Sequence, residues 1–109
     1  MSLGWIGVDL DGTLAKYDQW QGAEHIGEVI PLMRDRILNW VAEGVKVKIV
    51  TARCHDSWAI PFIQQWLIAN GMPELEITDK KDFSMWELWD DRAVSVERNT
   101  GRCTTEGRV

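Results

Sequence analysis

Cysteine is scarce in this sequence. Cys54 and Cys103 stand far apart and form no C-x-x-C pair, which suggests a reducing compartment more than a disulfide framework. No apolar run approaches the length of a bilayer span, so no membrane partner is expected. Met1 to Leu14 has no basic start and carries two acids, so a signal peptide is not expected and a cytoplasmic setting is. Basic residues are in the minority: the formal net charge is -5, which argues against non-specific nucleic-acid binding and leaves nucleic acid only as a substrate. Internal repeats and linkers are also missing. What remains is 109 residues, 45% hydrophobic and 27% charged, as in one soluble globular domain. Tryptophan is the exception to the scarcity. Seven in a chain this short are large rings that help a small domain bury enough area.

The most informative stretch is Gly7-Val8-Asp9-Leu10-Asp11-Gly12-Thr13-Leu14. An apolar run, Trp5 to Val8, reads as a buried strand and leads into two acids one residue apart. Gly12 permits a sharp turn directly after them. The carboxylates then sit at the C-terminal tip of a strand, where open α/β sheets hold ligands. Close carboxylates raise each other's pKa, and a divalent cation such as Mg²⁺ relieves the repulsion. The plain alternative is a solvated turn. A calcium loop is excluded, because the positions that need Gly and Glu hold Leu14 and Trp20.

Residues 12–27 lack a helical period and make a connection of about 16 residues, long enough to suggest a functional flap beside Asp9. Lys16 and Trp20 are either substrate contacts there or, more plainly, a solvated lysine and a ring packed on the body. Pro31 opens a helix to Glu43, closed by Gly44. Val45 to Val50 is a second strand, with Thr51 at its end. Asp56 or Ser57 caps a second helix, whose buried side is Ala59, Phe62, Ile63, Trp66, Leu67 and Asn70. Trp40, Trp58 and Trp66 read as core. Leu75 to Thr78, Met85 to Trp89 and Ala93 to Val96 are three further strands. Residues 1–98 thus form one domain, and 99–109 a polar, mobile tail.

Alternating strands and helices predict an α/β fold with a mainly parallel sheet. One feature conflicts with it. Only Asp79 to Ser84 separates the third and fourth strands, whereas a parallel crossover takes a dozen residues or more. Either a helix has been replaced by a short loop, or one of these segments is not a strand.

Four pieces fall at the ends of predicted strands: Asp9-Leu10-Asp11-Gly12-Thr13, Thr51, Lys80/Lys81 and Asp90-Asp91. In order and spacing they resemble the haloacid dehalogenase-like superfamily of phosphohydrolases, over roughly Gly4 to Val96. The resemblance implies a Rossmann-like three-layer sandwich with five strands in the order 5-4-1-2-3. It implies that Asp9 attacks phosphorus and that Asp11 serves as acid and then base. It implies Mg²⁺ held by Asp9, the Asp11 backbone carbonyl and an acid of the Asp90-Asp91 pair. Neighbours on a regular strand point to opposite sides, and relatives with Asp-Asp-Arg often use the second acid, so the resemblance implies Asp91 as direct ligand with Asp90 as support. Thr51 is implied to bond a phosphoryl oxygen, and Gly12 and Ala52 to line its site. Lys81, or else Lys80, is implied to neutralise charge. Relatives commonly show Lys-Pro there, and this chain has Lys81-Asp82.

Arg53 has two readings, a clamp for a second anionic group of the substrate or a surface pair with Asp56. His55 and Cys54 are not needed by this chemistry, and a cysteine-based phosphatase is excluded because Ile60 stands where its arginine belongs. No gap between strands can hold a cap domain, which leaves an open site. The expected activity is phosphomonoester hydrolysis through an aspartyl-phosphate, on a phosphorylated small molecule or the exposed phosphate end of a larger one. The alternatives are a non-catalytic phosphate- or protein-binding module of the same fold and a phosphotransferase.

Overall fold

The computed structural model describes residues 4–105 and 107. Strand β1 is Trp5–Asp9, β2 is Lys46–Val50, β3 is Glu76–Thr78 and β4 is Met85–Trp89. They form one sheet in the order β3-β2-β1-β4. Every pairing is parallel, with Val8 opposite both Ile49 and Trp89. Helix α1 is Pro31–Ala42 and α2 is Ile60–Ala69. Two short 3-10 turns, Ala52–His55 and Ser57–Ala59, precede α2. They take the place of the simple cap expected at Asp56 or Ser57.

Pro31 starts α1, where its missing N–H costs no helical bond. Gly44, at φ +83°, ends it, and the Val45 N–H returns to the Trp40 carbonyl. Met33 and Ile37 of α1 and Ile63 and Leu67 of α2 are buried in one cluster with Ile6, Val8, Val47 and Ile49. Those strand residues all point to one side of the sheet. Both helices therefore cover the same face. Right-handed crossovers that step twice in one direction, from β1 to β2 to β3, require this.

Among the described residues the sheet has four strands, not five. Residues 93–96, expected as the fifth strand, pair with none of the four. Val96 instead forms an isolated bridge with Cys103. Hydrogen bonds join Glu97 N–H to Arg102 O and Thr104 N–H to Ser95 O. The stretch expected as strand and tail is thus folded back on itself over 95–104. Residues 106, 108 and 109 of that tail lie outside the described residues. The second layer of helices is missing too. Among the described residues there are two layers rather than three.

The short connection conflicts with the third and fourth strands only if a helix must fill it. Here 79–84 crosses the helix-free face as a loop. Trp5 anchors it, its backbone N–H on Ser84 O and its Nε1–H on Asp82 Oδ1 at 2.9 Å each. Lys48 stands over the Trp5 ring at 4.3 Å. The loop and these two side chains cover part of the face that a helix would otherwise shield. Trp86 and Leu88 of β4 stay exposed.

The flap is less irregular than its sequence. Ala15 bridges Val29 in an antiparallel sense. Lys16 N–H bonds Glu28 O, and Ile30 N–H bonds Leu14 O. Residues 17–27 become an arch on a closed base, with Leu14 and Ala15 buried. The Trp66 indole donates to Gly27 O at 3.1 Å, tying the arch to α2.

Candidate active site

A cavity of about 1030 Å³ opens where β1 and β2 end. Asp9, Asp11, Thr51, Ala52, Arg53, Asp90 and Asp91 all line it. The chain thus brings most of its predicted site together, from three separate segments. Gly12, Lys80 and Lys81 are the exceptions: none is in the cavity wall, and both lysines are exposed. The cations that do line it are Arg53 and Arg92.

Carboxylate oxygens of Asp9, Asp90 and Asp91 lie within 4.8 Å of one another. Asp90 and Asp91 both contribute because β4 stops at Trp89 and the chain turns. The Arg92 N–H donates to Asp90 Oδ1 at 2.7 Å. Strand alternation, which would have sent one acid away, no longer applies. Asp9 is pushed up to about 7, first by burial, then by its hydrogen bond with Asp91 and the charges of Asp90 and Asp91. Three acids crowded this closely are an all-oxygen donor set, which suits a hard cation such as Mg²⁺. The Asp11 carboxylate is not among them.

Asp11 faces Arg53 instead. Nε donates to Oδ2 at 2.7 Å and Nη2 to Oδ1 at 2.9 Å, a two-pronged pair. The Arg53 side chain is only 5% exposed. Its Nη1 reaches Ala23 O at 3.3 Å, and its Cζ lies 4.8 Å from the Trp20 ring centre. Of the two readings of Arg53, the surface pair with Asp56 gives way to this pair with Asp11. Thr51 is buried, and its hydroxyl accepts the Arg53 N–H at 3.2 Å. That bond starts the 3-10 turn that sends Arg53 inward.

Sequence reasoning assigned no role to Thr13, yet its hydroxyl is the link between the acids. It lies 3.3 Å from Asp9 Oδ2 and 3.0 Å from Asp91 Oδ1, and accepts the Asp91 N–H at 2.9 Å. Its place in D-x-D-G-T was the only available signal. Gly12 has a structural part as well. Its φ is +90°, and a Cβ there would meet Asp91 Oδ2 at 2.5 Å.

Aromatic side chains form part of the wall. Tyr17 and Trp20 come from the arch and Trp58 from the second 3-10 turn. Trp58, expected in the core, is 60% exposed. Trp40 and Trp66 do pack against the core. His55 also lines the cavity, 4.0 Å from Asp79. Comparison of the chain with protein families, curated proteins and solved structures gave no match.

Proposed function

We propose that this chain is a Mg²⁺-dependent phosphomonoester hydrolase that works through an aspartyl-phosphate on Asp9. The observation that carries the proposal is the meeting of Asp9 with Asp90 and Asp91 within 4.8 Å. Residues from the start and near the finish of the chain converge on a space that favours a doubly charged cation. Asp9, Asp90 and Asp91 would hold it, and when bound it offsets the negative charge of carboxylate and phosphate.

The remaining chemistry belongs to the chain. An Asp9 oxygen forms a bond to phosphorus as the ester P–O bond breaks, and the leaving oxygen takes a proton from an acid. Water then attacks the same phosphorus and gives a proton to the conjugate base. The Asp9–phosphorus linkage breaks and inorganic phosphate leaves. Asp11 is the candidate for both proton transfers. In the geometry described here its two oxygens are held by Arg53, so that pair must open for Asp11 to act. Thr51 and Arg92 are the wall groups available to a phosphoryl oxygen. The resemblance assigns charge neutralisation to Lys81 or Lys80, but their exposure lends that role no support.

A second reading, a phosphate-binding module without turnover, is favoured by one observation: the acid is locked to Arg53 and both lysines lie outside the cavity wall. Phosphate release from p-nitrophenyl phosphate and a panel of phosphate esters separates the two. Turnover that needs Mg²⁺, stops with chelator and vanishes in Asp9→Asn supports hydrolysis. No turnover across the panel, with phosphate still bound, supports the module. Transfer to added alcohols would show a phosphotransferase.

A further inference from the structure

The acids and Thr51 account for one part of the cavity. Its volume, about 1030 Å³, is at the upper end for sites that enclose whole organic ligands and far exceeds a phosphate group. Beyond the acids and Thr51 the wall is mixed and includes three large aromatic side chains, Tyr17, Trp20 and Trp58. Tyr17 is 45% exposed, Trp20 57% and Trp58 60%. Trp5, by contrast, is buried and Trp40, Trp66 and Trp89 are half-buried, while the exposed Phe83 and Trp86 lie outside the cavity wall. A half-wet tryptophan forgoes much of the favourable burial open to it. Two such rings, from separate segments, border one cavity.

Neither ring is loose. Arg53 lies over the face of Trp20 at 4.8 Å. Phe62 meets Trp58 edge-on, at 6.4 Å and 90°. Each indole is supported by a neighbour and still keeps more than half its surface in water. That is how a stacking platform for a flat ligand is built. Arg53 touches Asp11 with its Nε and Trp20 with its plane. The ring therefore lies one guanidinium away from Asp11, in the same cavity wall as Asp9. The net charge of -5 and the acid cluster disfavour a long polyanion.

We propose that the substrate is a nucleoside monophosphate, its phosphate at Asp9 and its base stacked on the indoles of Trp20 and Trp58. This rests on the hydrolase reading for turnover, but not for binding. The test has two arms. In the first, Mg²⁺-dependent phosphate release is compared for nucleoside monophosphates and for ribose 5-phosphate, which lacks only the base. Stacking predicts that kcat/KM favours the nucleotide by roughly tenfold or more, mostly through KM. The ratio falls towards one in Trp20→Ala and Trp58→Ala and is partly kept in Trp20→Phe. Equal use of ribose 5-phosphate, an undiminished ratio in both alanine variants, or turnover of phosphorylated oligonucleotides but not mononucleotides would overturn the proposal. In the second arm, binding of the same ligands to Asp9→Asn is followed by calorimetry with Mg²⁺. Base-dependent binding without turnover in the parent protein would sink the hydrolase reading and keep this one. Indifference to the base would sink this one alone.

Discussion

The Asp91 carboxylate rests on the bare Cα of Gly12, so close that a methyl group there would come within 2.5 Å of Oδ2. The obstacle would be fixed backbone on one side and a cation ligand on the other. At φ +90° an L side chain is also disfavoured, by about 1 kcal/mol or more. Gly12→Ala is expected to fold and to hold Asp91 away from Asp9. Mg²⁺ affinity by calorimetry should fall by about tenfold or more, as when metal ligands lose their orientation. Unchanged affinity would show that Asp91 is not a ligand.

A second prediction concerns pH. The Asp9 carboxyl stands at about 7 in the folded, metal-free chain, against an ordinary value of 3.8. Between those values the folded chain keeps a proton that the unfolded chain has released. Stability contributed by this group therefore falls as pH rises through that window, and is level below and above it. Glu76 and Asp82 are shifted the other way, Glu76 chiefly by Lys48 and Asp82 chiefly by Trp5. Their effect is complete above their ordinary values of 4.5 and 3.8. Melting temperature in chelator should decline from about pH 5 to about pH 8. With saturating Mg²⁺, Asp9 is ionised in the folded state too and the decline should flatten. An equal slope with and without Mg²⁺ would show that no cation binds beside Asp9.

Thr13 carries one hydroxyl proton and faces two carboxylates. It gives that proton to Asp9 or Asp91 and accepts the Asp91 N–H. Thr13→Val keeps the shape, strands that N–H and sets the two acids against each other. Mg²⁺ affinity should drop by about tenfold, while Thr13→Ser should keep most of it. A valine variant that binds Mg²⁺ as tightly as the parent protein would show that the Thr13 hydroxyl does not hold the acids in place.

These three residues show how far the sequence could be read. The apolar run from Trp5 to Val8 and the alternation in Val45 to Val50, with Pro31 and Gly44 around α1, were enough for the parallel sheet and its helical cover, because local pattern and tertiary burial agree there. The D-x-D-G-T turn marked the right end of β1 for the same reason. The missing fifth strand was not legible. Ala93 to Val96 has strand-like composition, but its partner is the Cys103 region, and pairing is a non-local choice. The one-sided helical layer was foreshadowed by the short span from Asp79 to Ser84. What it left open was that Trp5 and Lys48 would secure a bare loop across the sheet. Arg53 was legible as a residue near the pocket, not as the partner of Asp11. That pairing depends on the turn started by Thr51, which brings together groups 42 positions apart.

Arg53 joins three parts of the site at once. It grips both oxygens of Asp11, holds the Ala23 carbonyl and supports the Trp20 ring. Asp11 belongs to the turn after β1, whereas Ala23 and Trp20 belong to the arch. Arg53→Ala removes all three contacts and leaves Asp11 beside the other acids without its counter-charge. Losing hydrogen bonds to a charged group of this kind costs on the order of 2 kcal/mol. Amide exchange should accelerate in residues 17–27 and stay slow in β1 and β2. Arg53→Lys keeps the charge but has a single point donor on a flexible stem in place of the planar fork. It should restore part of the stability and little of the protection in the arch. If Asp11 supplies the proton only when released, kcat should then fall less in the alanine variant, which frees it, than in the lysine variant, with KM raised in both. Exchange rates in 17–27 that match the parent protein in both variants would show that Arg53 does not hold the arch.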